Sequence, residues 1–296
     1  MGITRQQALD CLASVDLVGI GMEADAVRRR LHPEGVVTYS IDRNLPPTSF
    51  DLEPVFAEVQ HSIELGATGI ASARHAATPG LATLEHLFTG IKQRFGNISL
   101  HCLSAADILH LSAANSTPAS DILRRLQAAG LDSLPGDNLT ADTLPIHRAA
   151  HQLGISTTAS LAFGAGETLD QRVDHLEALY NLQQETGGFT AFTPLPFYPT
   201  DPALAYSEAT TAIEYLKNLA VSRMFLDNIL NIESSHAAQG LKVLQMTLRF
   251  GANDVGSVML DEATGPATEE ELRRIIRDAG FKPVQRDTLY RTFFLN

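Results

Sequence analysis

The stretch from residue 156 to residue 197 reads STTASLAFGAGETLDQRVDHLEALYNLQQETGGFTAFTPLPF, and it decides the fold. Ser156 to Phe163 is a run of β-branched and small apolar residues that ends in glycines, which predicts a strand followed by a turn. Thr168 with Gln171 three positions later is a capping box, and apolar residues then recur at helical spacing. A glycine pair ends this helix, and Phe189 to Phe197 is a second β-prone run. The stretch therefore predicts a strand, a helix and a second strand.

The same unit repeats along the chain. Further β-prone runs begin near residues 36, 67, 98, 131, 228 and 257, and helical patterns lie between most of them. Alternating strands and helices imply parallel pairing and right-handed crossovers. Two architectures remain open, a doubly wound open sheet or a closed barrel. A total of eight predicted strands favours an α/β fold with a single (β/α) TIM-type barrel.

The N-terminal residues 1–35 are predicted to form a helical cap, and residues 36–296 the barrel with its C-terminal helices. The helical pattern covers residues 4 to 31, and Arg28 to Arg30 is interpreted as a solvated run. The apolar positions expected to be buried in this segment are Leu9, Leu12, Leu17, Val27 and Leu31.

Composition excludes several classes of function. The chain has 296 residues, 44% of them hydrophobic, which is enough for one large core. Its net charge of -12 argues against nucleic-acid binding. No apolar run reaches membrane-spanning length and no secretory signal is evident, so we expect a soluble, cytoplasmic protein with a small-molecule substrate. Cys11 and Cys102 give no disulfide framework.

Polar residues at the predicted strand ends are the candidate site, because barrel active sites lie at the C-terminal ends of the strands. They include Asp42, to which the sequence assigns no specific role. His101 alternates with apolar neighbours and so points to one face, where it is either a catalytic base or a satisfied core histidine. Glu167 is either a second candidate base or a carboxylate that stabilises a helix start. His75, His101 and His236 lack diagnostic ligand spacing, so no metal is expected.

Several segments, in this order, resemble the radical S-adenosylmethionine enzymes of the futalosine route to menaquinone and the related subunit that makes the deazaflavin chromophore. The segments are VVTYSIDRN (36–44), IELGATGI (63–70), AGLDSLPG (129–136), TTASLAFGAGET (157–168), HLEALYNLQQETGGFTAFTPLPF (175–197), LDNILNIESS (226–235), FGANDVGSVMLDE (250–262) and AGFKPVQRDTLY (279–290). The resemblance implies a radical-SAM-like barrel that uses S-adenosylmethionine.

One departure from the family bears directly on the chemistry. After the segment at residues 36–44, family members carry a CxxxCxxC loop whose thiolates hold a [4Fe-4S] cluster. Here residues 45–50 read LPPTSF, and Cys11 and Cys102 lie elsewhere. We therefore predict no cluster and no reductive cleavage of S-adenosylmethionine to a radical.

The resemblance and the strand-end positions together give a set of predicted site residues. The predicted catalytic residues are Glu167 and His101. The predicted contacts to S-adenosylmethionine are Ser160, Gly164, Thr168, Pro194 and Pro196. The predicted substrate contacts are Arg43, His75, Ser104, His236, Asn253 and Asp254.

Three hypotheses follow. The first is a transferase or lyase that performs two-electron chemistry on S-adenosylmethionine or a nucleoside-like, menaquinone-pathway-like small molecule. The second is a non-catalytic paralogue that binds a ligand or associates with an active radical S-adenosylmethionine enzyme. The third is a metal-dependent lyase or hydrolase that uses the histidines. A homodimer is also compatible with the sequence.

Overall fold

A computed structural model describes residues 2–45, 51–72, 79–136, 138–197, 210–260 and 267–294. The helices in these residues are α1 (Arg5–Ala13), α2 (Leu17–Leu31), α3 (Leu52–Glu64), α4 (Leu81–Arg94), α5 (Ala105–Asn115), α6 (Ala119–Ala129), α7 (Leu144–Gln152), α8 (Leu169–Thr186), α9 (Ala212–Phe225), α10 (His236–Thr247) and α11 (Glu269–Asp278). The strands are β1 (Val36–Leu45), β2 (Gly69–Ser72), β3 (Ser99–His101), β4 (Ser133–Leu134), β5 (Ser156–Phe163), β6 (Phe189–Pro196), β7 (Asn231–Ile232), β8 (Asp254–Met259), β9 (Lys282–Arg286) and β10 (Phe293–Phe294).

The strands form two sheets with the orders β10-β9-β1-β2-β3 and β4-β5-β6-β7, and β8 pairs with β1. The pairs β1–β2, β2–β3, β4–β5 and β6–β7 are parallel. Every strand of the predicted repeat is present, which confirms the α/β class. The predicted strand near residue 257 instead begins at Asp254, and β9 and β10 were not predicted. The β9 run KPVQR has too few apolar residues to stand out as a strand.

The chain folds into two compact units, each assembled from separate segments. Unit 1 contains Met1–Tyr39, Ala159–Gly256 and Pro266–Val284. Unit 2 contains Ser40–Thr158, Ser257–Gly265 and Gln285–Asn296. The predicted division into a cap at residues 1–35 and a barrel at residues 36–296 stays a prediction.

The core of unit 2 is formed by the apolar faces of its helices packed against β2, β3 and β4. Leu84, Phe88 and Ile91 recur at helical spacing on α4, and each is at most 2% exposed. Ile122 and Leu126 of α6 belong to the same cluster. This packing fixes β3, which carries His101 of the site described below.

The N-terminal segment forms two helices rather than the single predicted one. The Asp16 side chain accepts a hydrogen bond of 2.8 Å from the backbone nitrogen of Gly19, which starts α2 with a new cap. Among the apolar positions expected to be buried here, Leu12 is fully buried and the others are half-buried. None of the described helices combines the length and the hydropathy needed to span a lipid bilayer.

The interpretation of Arg28 to Arg30 as a solvated run is wrong for Arg28, whose exposed fraction is 2%. It lies four residues after the buried Ala24, on the inward face of α2. Its Nε donates to Asp25 at 2.8 Å, and its guanidinium carbon lies 4.6 Å from the centre of the Phe281 ring. An ion pair and an aromatic face therefore replace water around this charge.

Candidate active site

A buried carboxylate, Asp42 of β1, is the centre of the polar cluster in unit 2. Ser40 lies two residues earlier and so on the same face of the strand, and its hydroxyl donates to Asp42 Oδ2 at 3.0 Å. The Ser257 hydroxyl donates to the same oxygen. Thr288 Oγ1 donates to Oδ1 at 3.1 Å. The carboxylate is thus held by three hydroxyl groups from three separate segments of the chain.

His101 of β3 faces this carboxylate. Its Nε2 lies 3.7 Å from Asp42 Oδ1, which exceeds the length of a hydrogen bond. The same Nε2 is buried and has no hydrogen-bond partner among the residues that the structure describes. The side chain as a whole keeps 13% exposure, so the buried end of the imidazole faces Asp42. A movement of less than about 1 Å would close the hydrogen bond, and we refer to Asp42 and His101 as the dyad.

The surroundings of Asp42 keep it ionised. Burial opposes its ionisation, but His101, the Ser257 hydroxyl and the charge of Arg286 together hold the pKa of the Asp42 carboxyl well below its usual range. An ionised carboxylate can orient His101 and stabilise a protonated imidazole. The dyad has therefore the composition of a general acid–base pair.

The ionised state of Asp42 predicts how stability depends on pH. Because its pKa is lower in the folded chain than in the unfolded chain, the group stabilises the fold near neutral pH, and this contribution is lost as the pH falls below about 4. We expect the free energy of unfolding of Asp42→Asn, measured with urea, to be lower near neutral pH and to decline less in acid than that of the wild type. If the free energies of unfolding of the two proteins declined in parallel as the pH falls, this assignment would be contradicted.

Gly69, the first residue of β2, lies next to both residues of the dyad. The register places it opposite Asp42 and Ser99. A Cβ atom added at Gly69 would lie 2.3 Å from Thr288 Oγ1, 2.4 Å from Asp42 Oδ1 and 2.9 Å from His101 Nε2. These distances are far below van der Waals contact, so only glycine leaves the three polar atoms in place.

We therefore expect Gly69→Ala to destabilise the protein by about 1–3 kcal/mol, because the methyl group must displace the buried polar atoms. Urea unfolding followed by circular dichroism measures the change. Gly96→Ala is the matched control, since a Cβ there would meet nothing closer than the Lys92 carbonyl oxygen at 3.7 Å. Equal unfolding free energies for the two variants would contradict the packing described here.

A second polar cluster lies in unit 1 around Glu167. Its carboxylate accepts hydrogen bonds from the backbone nitrogens of Gly164 at 2.7 Å and Ala165 at 2.9 Å, and from Arg172 Nε at 2.6 Å. Burial opposes its ionisation, but these amides and the Arg172 charge lower the pKa of Glu167. Arg172 also pairs with Glu214 at 2.7 Å. Glu167 thus fixes the turn after β5, and its oxygens already have donors.

The predicted contacts to S-adenosylmethionine lie at three neighbouring places in unit 1. Ser160 of β5 is 2% exposed, and its Oγ has no hydrogen-bond partner among the described residues. Gly164 has a φ of +93°, which favours glycine, and Thr168 caps α8 by accepting from the backbone nitrogen of Gln171. Pro194 and Pro196 are buried in β6. Their role in ligand binding stays a prediction.

Four predicted substrate contacts are held by other protein groups. Arg43 pairs with Glu58 of α3, and Ser104 caps α5 by accepting from the Asp107 backbone nitrogen. Asn253 accepts from Arg223 at 2.6 Å. Asp254 accepts from the Thr38 hydroxyl and from the backbone nitrogen of Gly256. These contacts give each side chain a structural role that the strand-end argument did not anticipate.

The remaining predictions have different outcomes. His75 and residues 46–50 lie outside the described residues. His236 is buried at the start of α10. Among the described residues, no group of three or more histidine, cysteine or acidic side chains is placed to hold a metal ion. Glu167 and His101 belong to different compact units, and the catalytic role of each stays a prediction.

The surroundings of His101 carry little signal in the sequence. Ser40, Gly69, Ser257 and Thr288 received no predicted role. Only the alternation of Ser40 and Asp42 on β1 was available as a signal, because it places two polar side chains on one face of a strand.

Solved structures define the fold. Methylornithine synthase PylB superimposes with a TM-score of 0.72 and 14% identity, over 95% of this chain and 94% of that chain. The [FeFe]-hydrogenase maturase HydG of Carboxydothermus hydrogenoformans gives a TM-score of 0.72 and 14% identity, over 98% and 78%. These likenesses confirm the predicted fold, a radical-SAM-like (β/α) TIM-type barrel.

Sequence relatives define the family. Residues 186–294 match the family described as the CofH/MqnC C-terminal region. Cyclic dehypoxanthine futalosine synthase of Streptomyces coelicolor is 32% identical, over 97% of this chain and 85% of the relative. Aminodeoxyfutalosine synthase of Thermus thermophilus is 33% identical, over 95% and 81%. The chain belongs to the CofH/MqnC family of radical S-adenosylmethionine enzymes, which confirms the resemblance inferred from its motifs.

The relatives also include transferases of the deazaflavin pathway. A 5-amino-6-(D-ribitylamino)uracil–L-tyrosine 4-hydroxyphenyl transferase of Methanosarcina acetivorans is 30% identical, over 86% of this chain and 82% of the relative. The match to the Streptomyces relative extends over 340 positions, although this chain has 296 residues. That relative therefore contains segments for which this chain has no counterpart.

Proposed function

We propose that this protein is an enzyme that performs polar, two-electron chemistry on S-adenosylmethionine or a nucleoside-like small molecule, without an iron–sulfur cluster. The observation that carries the proposal is the dyad. A buried, ionised Asp42 faces a buried imidazole nitrogen of His101 that has no other partner among the described residues. Such a pair is costly to bury, and its composition suits proton transfer.

The cysteines support the part of the proposal that concerns the cluster. A site-differentiated [4Fe-4S] cluster needs three thiolates at one place, and the sequence contains two cysteines. Cys102 is buried, and its thiol donates to the carbonyl oxygen of Ile70 at 3.2 Å. Burial raises the pKa of Cys102 to about 12, so it is a thiol at neutral pH. These residues do not fit the cluster, and no step of the proposed reaction passes through one.

The proposed reaction uses the sulfonium group as an electrophile. A nucleophile on the substrate forms a bond to a carbon beside the sulfur with its lone pair, the carbon–sulfur bond breaks, and its electron pair remains on the sulfur of a neutral thioether. His101 accepts the proton of the nucleophile, and Asp42 stabilises the resulting imidazolium. Catalytic hydrogen bonds often tighten when ligand binds, so the 3.7 Å separation within the dyad is compatible with this role.

Glu167 receives a different role in this proposal from the one expected from the sequence. Its oxygens accept from two backbone amides and from Arg172. A carboxylate with a lowered pKa and several donors is a weak base. We propose that it shapes the turn at Gly164.

Product analysis tests the proposed function. Iron-free protein is incubated with S-adenosylmethionine and a panel of nucleoside-like acceptors, with and without a strong reductant, and a parallel sample receives iron and sulfide together with the reductant. The products are separated by liquid chromatography and mass spectrometry. We expect transfer or elimination products without reductant, and no 5′-deoxyadenosine. Formation of 5′-deoxyadenosine that depends on reductant and added iron would refute the proposal. Binding without any product would instead favour the non-catalytic paralogue.

A further inference from the structure

The loop between β9 and β10 in unit 2 has a defined shape. The backbone nitrogen of Asp287 donates to the Thr292 carbonyl oxygen at 2.9 Å, and the Arg291 nitrogen donates to Asp287 Oδ1 at 2.8 Å. The guanidinium carbon of Arg286 lies 3.8 Å from the centre of the Tyr290 ring. Tyr290 itself has a φ of +58°, an uncommon value for a bulky residue, which the surrounding contacts maintain.

This loop directs one hydroxyl group toward the dyad. Thr288 Oγ1 donates to Asp42 Oδ1 at 3.1 Å, and the same oxygen faces His101 Nε2 at 3.7 Å. The other oxygen of the carboxylate receives the hydroxyls of Ser40 and Ser257. Without Thr288, the two remaining hydroxyl donors, Ser40 and Ser257, would both bind Oδ2. The carboxylate could then turn about its bond to Cβ.

We propose that Thr288 is a positioning residue that fixes the Asp42 carboxylate in the orientation in which Oδ1 faces His101. The inference rests on the proposed function for its catalytic meaning, but the contact itself can be tested without any turnover. The loop at residues 286–292 is then part of the site, although it is distant from β1 in the sequence. Its many internal contacts serve to place this one hydroxyl.

The first test compares wild type, Thr288→Val and Thr288→Ser by urea unfolding near neutral pH and at the acid end of the wild-type folding range, because the lowered pKa of the Asp42 carboxyl means that it is protonated in the folded protein only well below the usual carboxylate range. Among the described residues, the charged and titratable groups that face Asp42 are His101 and Arg286, and they are unchanged in all three proteins. Valine keeps the size of threonine but removes the donor to an ionised carboxylate. We expect the folding equilibrium constant of Thr288→Val to fall about tenfold near neutral pH and to approach the wild-type value in acid.

Thr288→Ser retains the hydroxyl and is expected to follow the wild type at both pH values. Thr117→Val is the matched control, because it removes a hydroxyl that donates to the Asn115 carbonyl oxygen on the surface of the same unit. Its effect should be independent of pH. The positioning role is overturned if Thr288→Val has no pH-dependent effect, or if Thr288→Ser is as impaired as Thr288→Val.

A second measurement separates this inference from the proposed function. Spectra of the imidazole nitrogens of His101 should change in Thr288→Val and remain as in the wild type in Thr288→Ser. Where turnover is measured, kcat should fall in Thr288→Val with little change in KM, and serine should restore it. Spectral changes in a protein without turnover would support the positioning contact and refute the proposed enzymatic function. An unchanged His101 spectrum in an active Thr288→Val variant would refute the positioning contact and leave the enzymatic function supported.

Discussion

His101→Gln is expected to lower the turnover of the iron-free protein about a hundredfold or more, because a general acid–base residue contributes at least that factor. Glutamine can place an amide nitrogen close to the position of Nε2, so the contact with Asp42 is retained while proton transfer is lost. The fold should survive, since His101 Nε2 has no hydrogen-bond partner among the described residues. Steady-state kinetics with S-adenosylmethionine would measure the effect.

His110→Gln is the matched control for this prediction. His110 is exposed on α5, in the same unit, and the same substitution there removes an imidazole from the surface. Its turnover should equal that of the wild type. If His101→Gln keeps more than about a third of wild-type kcat, or if binding alone is lost, His101 is not the acid–base residue.

Arg223→Met is expected to cause the largest loss of stability, about 3–5 kcal/mol. Arg223 of α9 is fully buried and donates to the carbonyl oxygens of Gly251 at 2.8 Å and Leu230 at 2.9 Å, and to Asn253 Oδ1 at 2.6 Å. Methionine fills a similar volume but removes all the guanidinium donors at once, and of the three acceptors Asn253 Oδ1 keeps the Ile232 backbone nitrogen at 2.9 Å and the Leu230 carbonyl oxygen keeps His32 Nε2 at 2.9 Å. Urea unfolding, monitored by circular dichroism, gives the change in the free energy of unfolding.

Arg30→Met serves as the control for this loss. The Arg30 side chain is 63% exposed and lies 3.9 Å from Asp227, so its removal should change stability by less than about 1 kcal/mol. A comparably small effect of Arg223→Met would show that the buried acceptors find other donors.

The fold was predictable because each strand and helix of the repeat has local sequence signals at its ends. The capping box at Thr168 and the glycine at position 187 mark the ends of α8, and both ends lie where they were expected. The β9 strand was missed because its alternation is weak. Arg28 was misjudged because three consecutive arginines look like a surface run, whereas the position of each on the helix decides its burial.

The site was predictable only in part. Strand-end position identified His101 as a candidate, and it included Asp42 among the strand-end residues without a role. The hydroxyl donors could not be inferred, because Ser257 and Thr288 meet Asp42 across more than two hundred positions of sequence and carry no local signal. Arg43 follows Asp42 directly, but a strand alternates its side chains, so Arg43 lies against α3 instead.

The most direct test of the central claim is a calorimetric titration of the iron-free protein with S-adenosylmethionine, followed by S-adenosylhomocysteine and methylthioadenosine. An enzyme that uses this sulfonium without a cluster must bind it in the absence of iron. We predict saturable binding with a Kd of about 1–100 μM, a common range for substrates of enzymes. Absence of binding to all three compounds would contradict the assignment of an adenosyl ligand, and with it the proposed two-electron reaction.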